Sequence, residues 1–249
     1  MSAIKLLRKI KEIIKKLTEI IITYINRLNQ SEQPGSAKWL VSKEMQYGGM
    51  HTNVPRKTVS PLDPRSPEEI RSGGMTGGDR MMHHAYAKSY ARNLKPWISV
   101  RERNQVVLCE VGILRGTGLA IWCDLFPKGK VVGLDIDLSN IKQNLNFLRG
   151  RGAFSCNQPE LHQFDQLKPN NKILKKIFSE QSIDICIDDG LHSDEAVLNT
   201  FASLNPFLSD QFVYFVEDSF TAGRAIKRNY PDYTVGESGE LTVVTRRPL

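Results

Sequence analysis

The chain has 249 residues, enough for one α/β domain with additions and a sizeable core. Hydrophobic residues make up 40% and charged residues 24%, the composition of an ordinary soluble globular protein. The formal charge of +7 is concentrated at the start: residues 1–30 carry seven Lys or Arg against two Glu, a net +5, so a general nucleic-acid-binding surface is not expected on the remainder.

Residues 3–28 read as an amphipathic helix. Leu7, Ile10, Ile14, Leu17, Ile21, Tyr24 and Leu28 recur at spacings of three and four, with Lys and Glu over much of the other face. The longest uninterrupted apolar run there is Ile20–Ile22, too short for a membrane span or a signal-peptide core. The stripe is expected to pack on the domain or on a sister subunit in a homo-oligomer. Contact with an anionic membrane surface is the second reading. The four cysteines, Cys109, Cys123, Cys156 and Cys186, form no C-x-x-C pair and read as free thiols of a cytoplasmic protein.

Residues 31–80 are rich in Gly and Pro and read as a linker or lid, with Ser66 and Glu69 as a capping box for a short helix. From about residue 81 to the end, apolar strand-like runs alternate with helical patterns. The expected strands are Val106–Val111, Val131–Asp135, Ile183–Asp188 and Phe212–Glu217. The expected helices are Gly118–Leu125, Ser139–Arg149, Asn171–Glu180 and Asp194–Leu204. This alternation predicts a mostly parallel sheet covered by helices on both faces. Tyr233–Val235 and Leu241–Thr245, around Gly236–Gly239, predict a terminal antiparallel hairpin.

The first strand runs into Glu110-Val111-Gly112-Ile113-Leu114-Arg115-Gly116-Thr117-Gly118. Glycines after a first strand allow a tight turn and close approach of the backbone to a ligand, and the next helix aims its amides at that ligand. The order Gly-x3-Gly-x-Gly is wrong for a dinucleotide fingerprint. The acid before Gly112 suits the cationic end of S-adenosylmethionine (SAM). Asp135 closes the second strand about 20 residues on, where ribose hydroxyls are held in nucleotide-binding α/β folds. Phe164-Asp165-Gln166 could read an adenine amino group.

Two further strands end in acid pairs, Asp188-Asp189 and Glu217-Asp218. In a parallel sheet these ends share one edge, so up to four carboxylates are expected at one rim. Their mutual repulsion would be relieved by a divalent cation, and oxygen ligands suit Mg²⁺, Ca²⁺ or Mn²⁺. His192 lies three positions after Asp189 and is a candidate general base. Taken alone, it is more readily a solvated loop histidine, and the acid cluster at two strand ends is what favours function.

The run from Met75 to Thr221 resembles the metal-dependent sugar O-methyltransferases of macrolide biosynthesis, the mycinamicin and macrocin O-methyltransferase type. Thr76-Gly77-Gly78-Asp79-Arg80, continuing through His83-His84-Ala85-Tyr86 to Tyr90, is similar to the family's "GTDK…HGY…Y" segment. Glu110–Gly118 with Val131–Asp137 resembles its SAM loop and ribose strand, Phe164-Asp165-Gln166 its "GDQ", and Ile187–His192 with Val216–Thr221 its "IDDGSH" and "VIED" blocks. Arg80 stands for the family's Lys, Phe164 for a Gly and Leu191 for a Ser. Ser209-Asp210-Gln211 stands where a "PGG" turn is usual.

The resemblance implies a Rossmann-like class I methyltransferase fold, with a mostly parallel seven-stranded sheet, over residues 81–249. It implies SAM contacts at Glu110, Gly112, Asp135, Asp165 and Gln166, with Gly116, Gly118 and Asp188 lining the site and Tyr86 over the cofactor. It implies Mg²⁺ at Asp189, Glu217 and Asp218, with His192 as base and Asp189 assisting. The acceptor would be a small-molecule hydroxyl, such as that of a sugar or another vicinal diol. The rival readings are a fold relative with hydroxylase-like or hydrolytic chemistry, and a non-catalytic SAM-binding or membrane-docked scaffold.

Overall fold

The computed structural model describes residues 32–48, 78–102 and 105–246. The helix expected over 3–28 and the capping box at Ser66 lie outside the described residues. In chain order the elements are α1 (Ala37–Gln46), α2 (Ala87–Asn93), α3 (Lys95–Ile98), β1 (Val107–Val111), α4 (Thr117–Leu125), β2 (Lys130–Asp135), α5 (Ser139–Gly150) and β3 (Glu160–Gln163). Then come α6 (Asn171–Ile177), β4 (Ile183–Asp188), α7 (Asp194–Leu204), β5 (Leu208–Val216), α8 (Ala222–Asn229), β6 (Thr234–Ser238) and β7 (Leu241–Thr245).

The strands form one sheet in the order β3-β2-β1-β4-β5-β7-β6. β1 is central and pairs in parallel with both β2 and β4, and all five of its residues are buried. A strand covered on both faces has no polar side to show, which is why it reads as a continuous apolar run. The alternation of side chains divides the core. Leu108, Ile185, Ile187 and Phe215 pack on one face with Trp39, Tyr90 and Trp122, while Val107, Cys109, Cys186 and Tyr214 pack on the other with Phe164 and Phe201. The terminal hairpin adds β7 antiparallel to β5, and β6 forms the far edge.

The winding reverses between β1 and β4, whose ends lie side by side with Val111 opposite Asp188. In open α/β sheets such a reversal opens a crevice at the carboxyl ends of the strands. Every candidate site residue on β1, β4 and β5 falls at this edge.

Three expectations need correction. Within the stretch read as loop, Ala37–Gln46 is a helix, started by Ser36, whose side chain accepts the Trp39 amide at 3.2 Å. Trp39 and Leu40 are buried, so the Gly and Pro residues punctuate a packed element. β5 begins at Leu208 rather than Phe212, because a register shift opposite Ile183–Ile185 keeps Ser209-Asp210-Gln211 within the strand. The short, part-exposed β3 and the helix α8 were not anticipated.

Candidate cofactor and metal site

β1 delivers Glu110 and then turns at Gly112, where φ is +81° and the amide donates to the Leu134 carbonyl at 2.8 Å. A Cβ on Gly112 would lie 2.0 Å from the Asp189 carbonyl oxygen, so only glycine lets the glycine loop and the end of β4 approach this closely. Gly116 (φ +80°) opens α4. Asp135 ties the loop from below: Oδ2 accepts the amides of Ile113 and Leu114 at 2.9 and 3.0 Å, and Oδ1 accepts that of Asp137 at 2.9 Å. Burial pushes its carboxyl above the usual carboxylate range, and these three amides pull it back. Asp135 therefore fixes the loop as well as standing at the expected ribose position.

Glu110 is 1% exposed, and neither of its carboxylate oxygens accepts a hydrogen bond of good geometry. Its counter-charge is Arg80, whose Nη1 lies 2.7 Å from Glu110 Oε1. Gly118 is bare for the same reason, since a Cβ there would sit 2.2 Å from that oxygen. Glu44, Arg80, Glu110, Ile113 and Asp189 line a narrow cavity against the glycine loop. Glu44 itself holds the Met81 and Met82 amides at 2.8 and 3.0 Å, placing Arg80.

The acid pair after β4 splits. Asp188 turns into the protein, where Gln166 Nε2 donates to Oδ1 at 3.0 Å and Tyr214 Oη to Oδ2 at 3.2 Å. Of the up to four carboxylates expected at one rim, Asp188 is thus drawn away by Gln166 and Tyr214, leaving three. Gln166 spends its amide on protein partners, donating also to Thr200 Oγ1 at 2.7 Å and accepting the Leu191 amide at 2.6 Å. Its place is behind the Asp188–Leu191 turn. The neighbouring Asp165 pairs with Lys168 at 2.8 Å.

Burial pushes the Asp188 carboxyl up to about 7, against the pull of Tyr214, the Gly190 amide and Gln166. Between about 4 and this value the folded state keeps a proton that the unfolded chain has released. Stability therefore falls as pH rises through that window. Urea unfolding in EDTA is expected to show this slope, and Asp188→Asn to flatten it by up to about 1.4 kcal/mol per pH unit. Equal slopes in the two proteins would disprove the assignment.

On the other face, Asp189, Glu217 and Asp218 gather with Arg80. Arg80 Nη2 lies 2.8 Å from Asp189 Oδ2, and Nε 2.7 Å from Glu217 Oε2. The Tyr90 hydroxyl donates to Glu217 Oε1, and Tyr86 to Asp218 Oδ1 at 2.8 Å. Tyr86 thus meets an acid of the metal end. Asp189, His192 and Asp218 each offer a ligand atom within 4.8 Å of the others; Glu217 lies behind them, held by Arg80 and Tyr90. His84, Asp218 and Glu240 form a second such group. Of these residues, Arg80, His84 and Tyr90 carried no assigned role in the sequence beyond their place in the segment Thr76–Tyr90, and Glu44 carried no signal at all.

No family model matches the chain. A curated relative, mycinamicin VI 2''-O-methyltransferase of Micromonospora griseorubida, is 30% identical over 148 residues, which cover 56% of this chain and 32% of the relative. L-olivosyl-oleandolide 3-O-methyltransferase of Streptomyces antibioticus is 27% identical over 147 residues, covering 56% of this chain and 33% of that protein. The chain therefore matches about a third of the length of these relatives. Among solved structures, MycE methyltransferase from the mycinamycin pathway, in complex with Mg, SAH and mycinamycin VI, superimposes with a TM-score of 0.51 at 21% identity, over 71% of this chain and 51% of that one. The chain has the class I methyltransferase fold. Within that fold, the glycine loop occupies the end of β1 and the acid groups the ends of β4 and β5.

Proposed function

We propose that this protein is a SAM-dependent, divalent-metal-dependent O-methyltransferase acting on a hydroxyl of a small molecule, a sugar or glycoside. The carrying observation is one crevice with two chemistries. At the end of β1, the buried Glu110 carboxylate accepts no hydrogen bond of good geometry beside a glycine loop. At the ends of β4 and β5, Asp189, His192 and Asp218 converge. The similarity to sugar O-methyltransferases supports the acceptor class.

The residues fit both groups. A buried acid with oxygens short of donors suits the ammonium of an amino-acid-bearing cofactor, and the amides at the start of α4 suit its carboxylate. The Asp189 and Asp218 carboxylates at a half-exposed rim suit Mg²⁺ or Mn²⁺, with His192 beside them left for proton transfer. When bound, SAM would supply an electrophilic methyl group and the metal ion Lewis acidity towards the acceptor. The chain's part is to orient and to move one proton. Methyl transfer from that cofactor to an acceptor hydroxyl would release one proton, and His192 is placed to take it. The rigid strand ends hold the partners for in-line transfer.

Isothermal titration of the purified protein with SAM, with and without Mg²⁺, tests this. Binding of SAM is expected in the wild type, and Asp189→Ala is expected to lose the Mg²⁺ heat while still binding SAM. Absence of SAM binding under every condition would overturn the proposal.

A cytoplasmic setting is supported by the free thiols, three of them buried. Among the described residues no helix is long and apolar enough to cross a membrane. The Ile and Leu stripe of residues 3–28 supports self-association, with contact to an anionic membrane surface as its second use.

A further inference from the structure

Arg80 is the buried cation at the centre of the crevice, and its three nitrogens reach three strand ends. Nη1 serves Glu110 near the end of β1, Nη2 serves Asp189 after β4 and Nε serves Glu217 after β5, at 2.7, 2.8 and 2.7 Å. The side chain is 9% exposed and lies over Trp122, 5.7 Å from the ring centroid. Burial works against its charge, but Glu217, Glu110, Tyr90 and Asp189 together hold it protonated above its ordinary range. The rigid planar fork fixes the three acids relative to one another, which the flexible single ammonium of lysine cannot do.

These acids do not belong to one function. On the methyltransferase reading, which this inference rests on, Glu110 faces the cofactor while Asp189 and Glu217 belong to the metal end. We propose that Arg80 is a positioning residue that couples the two ends, as an internal cation competing with both ligands. With Arg80 seated on all three acids, part of the crevice's negative charge is offset from within. A divalent cation must weaken its hold on Asp189, and the cofactor ammonium its hold on Glu110. Whichever ligand arrives first unseats the guanidinium and lowers the cost for the second. Linkage makes that benefit reciprocal.

Mn²⁺ titrations with and without S-adenosylhomocysteine, on wild type, Arg80→Lys and Arg80→Met, read this directly. In the wild type the nucleoside is expected to tighten Mn²⁺ about fivefold or more, the low end of ordinary coupling. Arg80→Met, which leaves the acids without their internal cation, is expected to bind Mn²⁺ roughly tenfold tighter, with the coupling gone. Arg80→Lys keeps the charge and safeguards the fold; it is expected to fall between the two. A purely structural clamp would lower the melting temperature of both variants and leave the coupling factor unchanged, and that result overturns the proposal. Wild-type protein that binds neither probe would instead sink the methyltransferase reading, and this inference with it. Binding of both probes without coupling sinks the inference alone.

Discussion

Replacing Gly112 by alanine is expected to destabilise the protein by roughly 3–5 kcal/mol, the range of severe packing and backbone clashes. The new Cβ would stand 2.0 Å from the Asp189 carbonyl oxygen, 2.4 Å from its carbon and 2.6 Å from the Gly190 Cα. All three are main-chain atoms at the seam of β1 and β4, so no side-chain rotation relieves the contact. The φ of +81° adds strain for any residue with a Cβ. The one accommodation left is to push the end of β4 away, which displaces Asp189. Urea unfolding should show the loss of stability, and titration with Mn²⁺ a loss of metal binding in whatever protein remains folded. Gly236→Ala is the control, because nothing lies within 4 Å of its added Cβ. If the two substitutions cost the same, the close approach at Gly112 is not what holds the crevice.

Replacing Glu110 by glutamine is expected to weaken S-adenosylhomocysteine binding roughly 10- to 100-fold, the effect of removing one charge-assisted contact at a buried site. The substitution conserves volume, so the Val107–Val111 strand should remain packed. What changes is the charge. Glu110 is 1% exposed, and Arg80 at 2.7 Å is its cationic neighbour. With glutamine there, Arg80 keeps Asp189 and Glu217, and the cofactor ammonium loses its acid. Calorimetry should show weaker binding with little change in the urea midpoint. An unchanged affinity accompanied by a large loss of stability would mean that Glu110 serves only to neutralise Arg80.

Both effects come from the crowding of acids around Arg80. The sequence shows pairs of carboxylates at strand ends and invites a metal ion as the remedy for their repulsion. The structure supplies a first remedy from within the chain, a guanidinium 137 positions away from Glu217. The acids' charge is therefore partly offset before any ion binds, and affinity at this rim reflects competition as well as attraction.

By itself the sequence determined the elements whose signal is local. Ile183–Asp188 is a buried strand, and its uninterrupted apolar run says so. Asp194–Leu204 matches its expected bounds because Ser193 caps it, accepting the Ala196 amide at 3.2 Å. The glycine loop was legible because a turn that tight needs glycine at fixed positions. Only the tertiary structure decided which acids meet. Asp188 and Asp189 look alike in the chain, yet one turns to Gln166 and Tyr214 and the other to Arg80. Gln166 reads as a ligand contact and folds inward as a brace. Arg80 reads only as a departure from the family's lysine and becomes the centre of the crevice. Ala37–Gln46 vanishes among glycines and prolines until its Trp39 and Leu40 find a core to enter. In each case the deciding contact joins residues far apart in the chain, and such contacts leave no period, cap or spacing for a sequence to display.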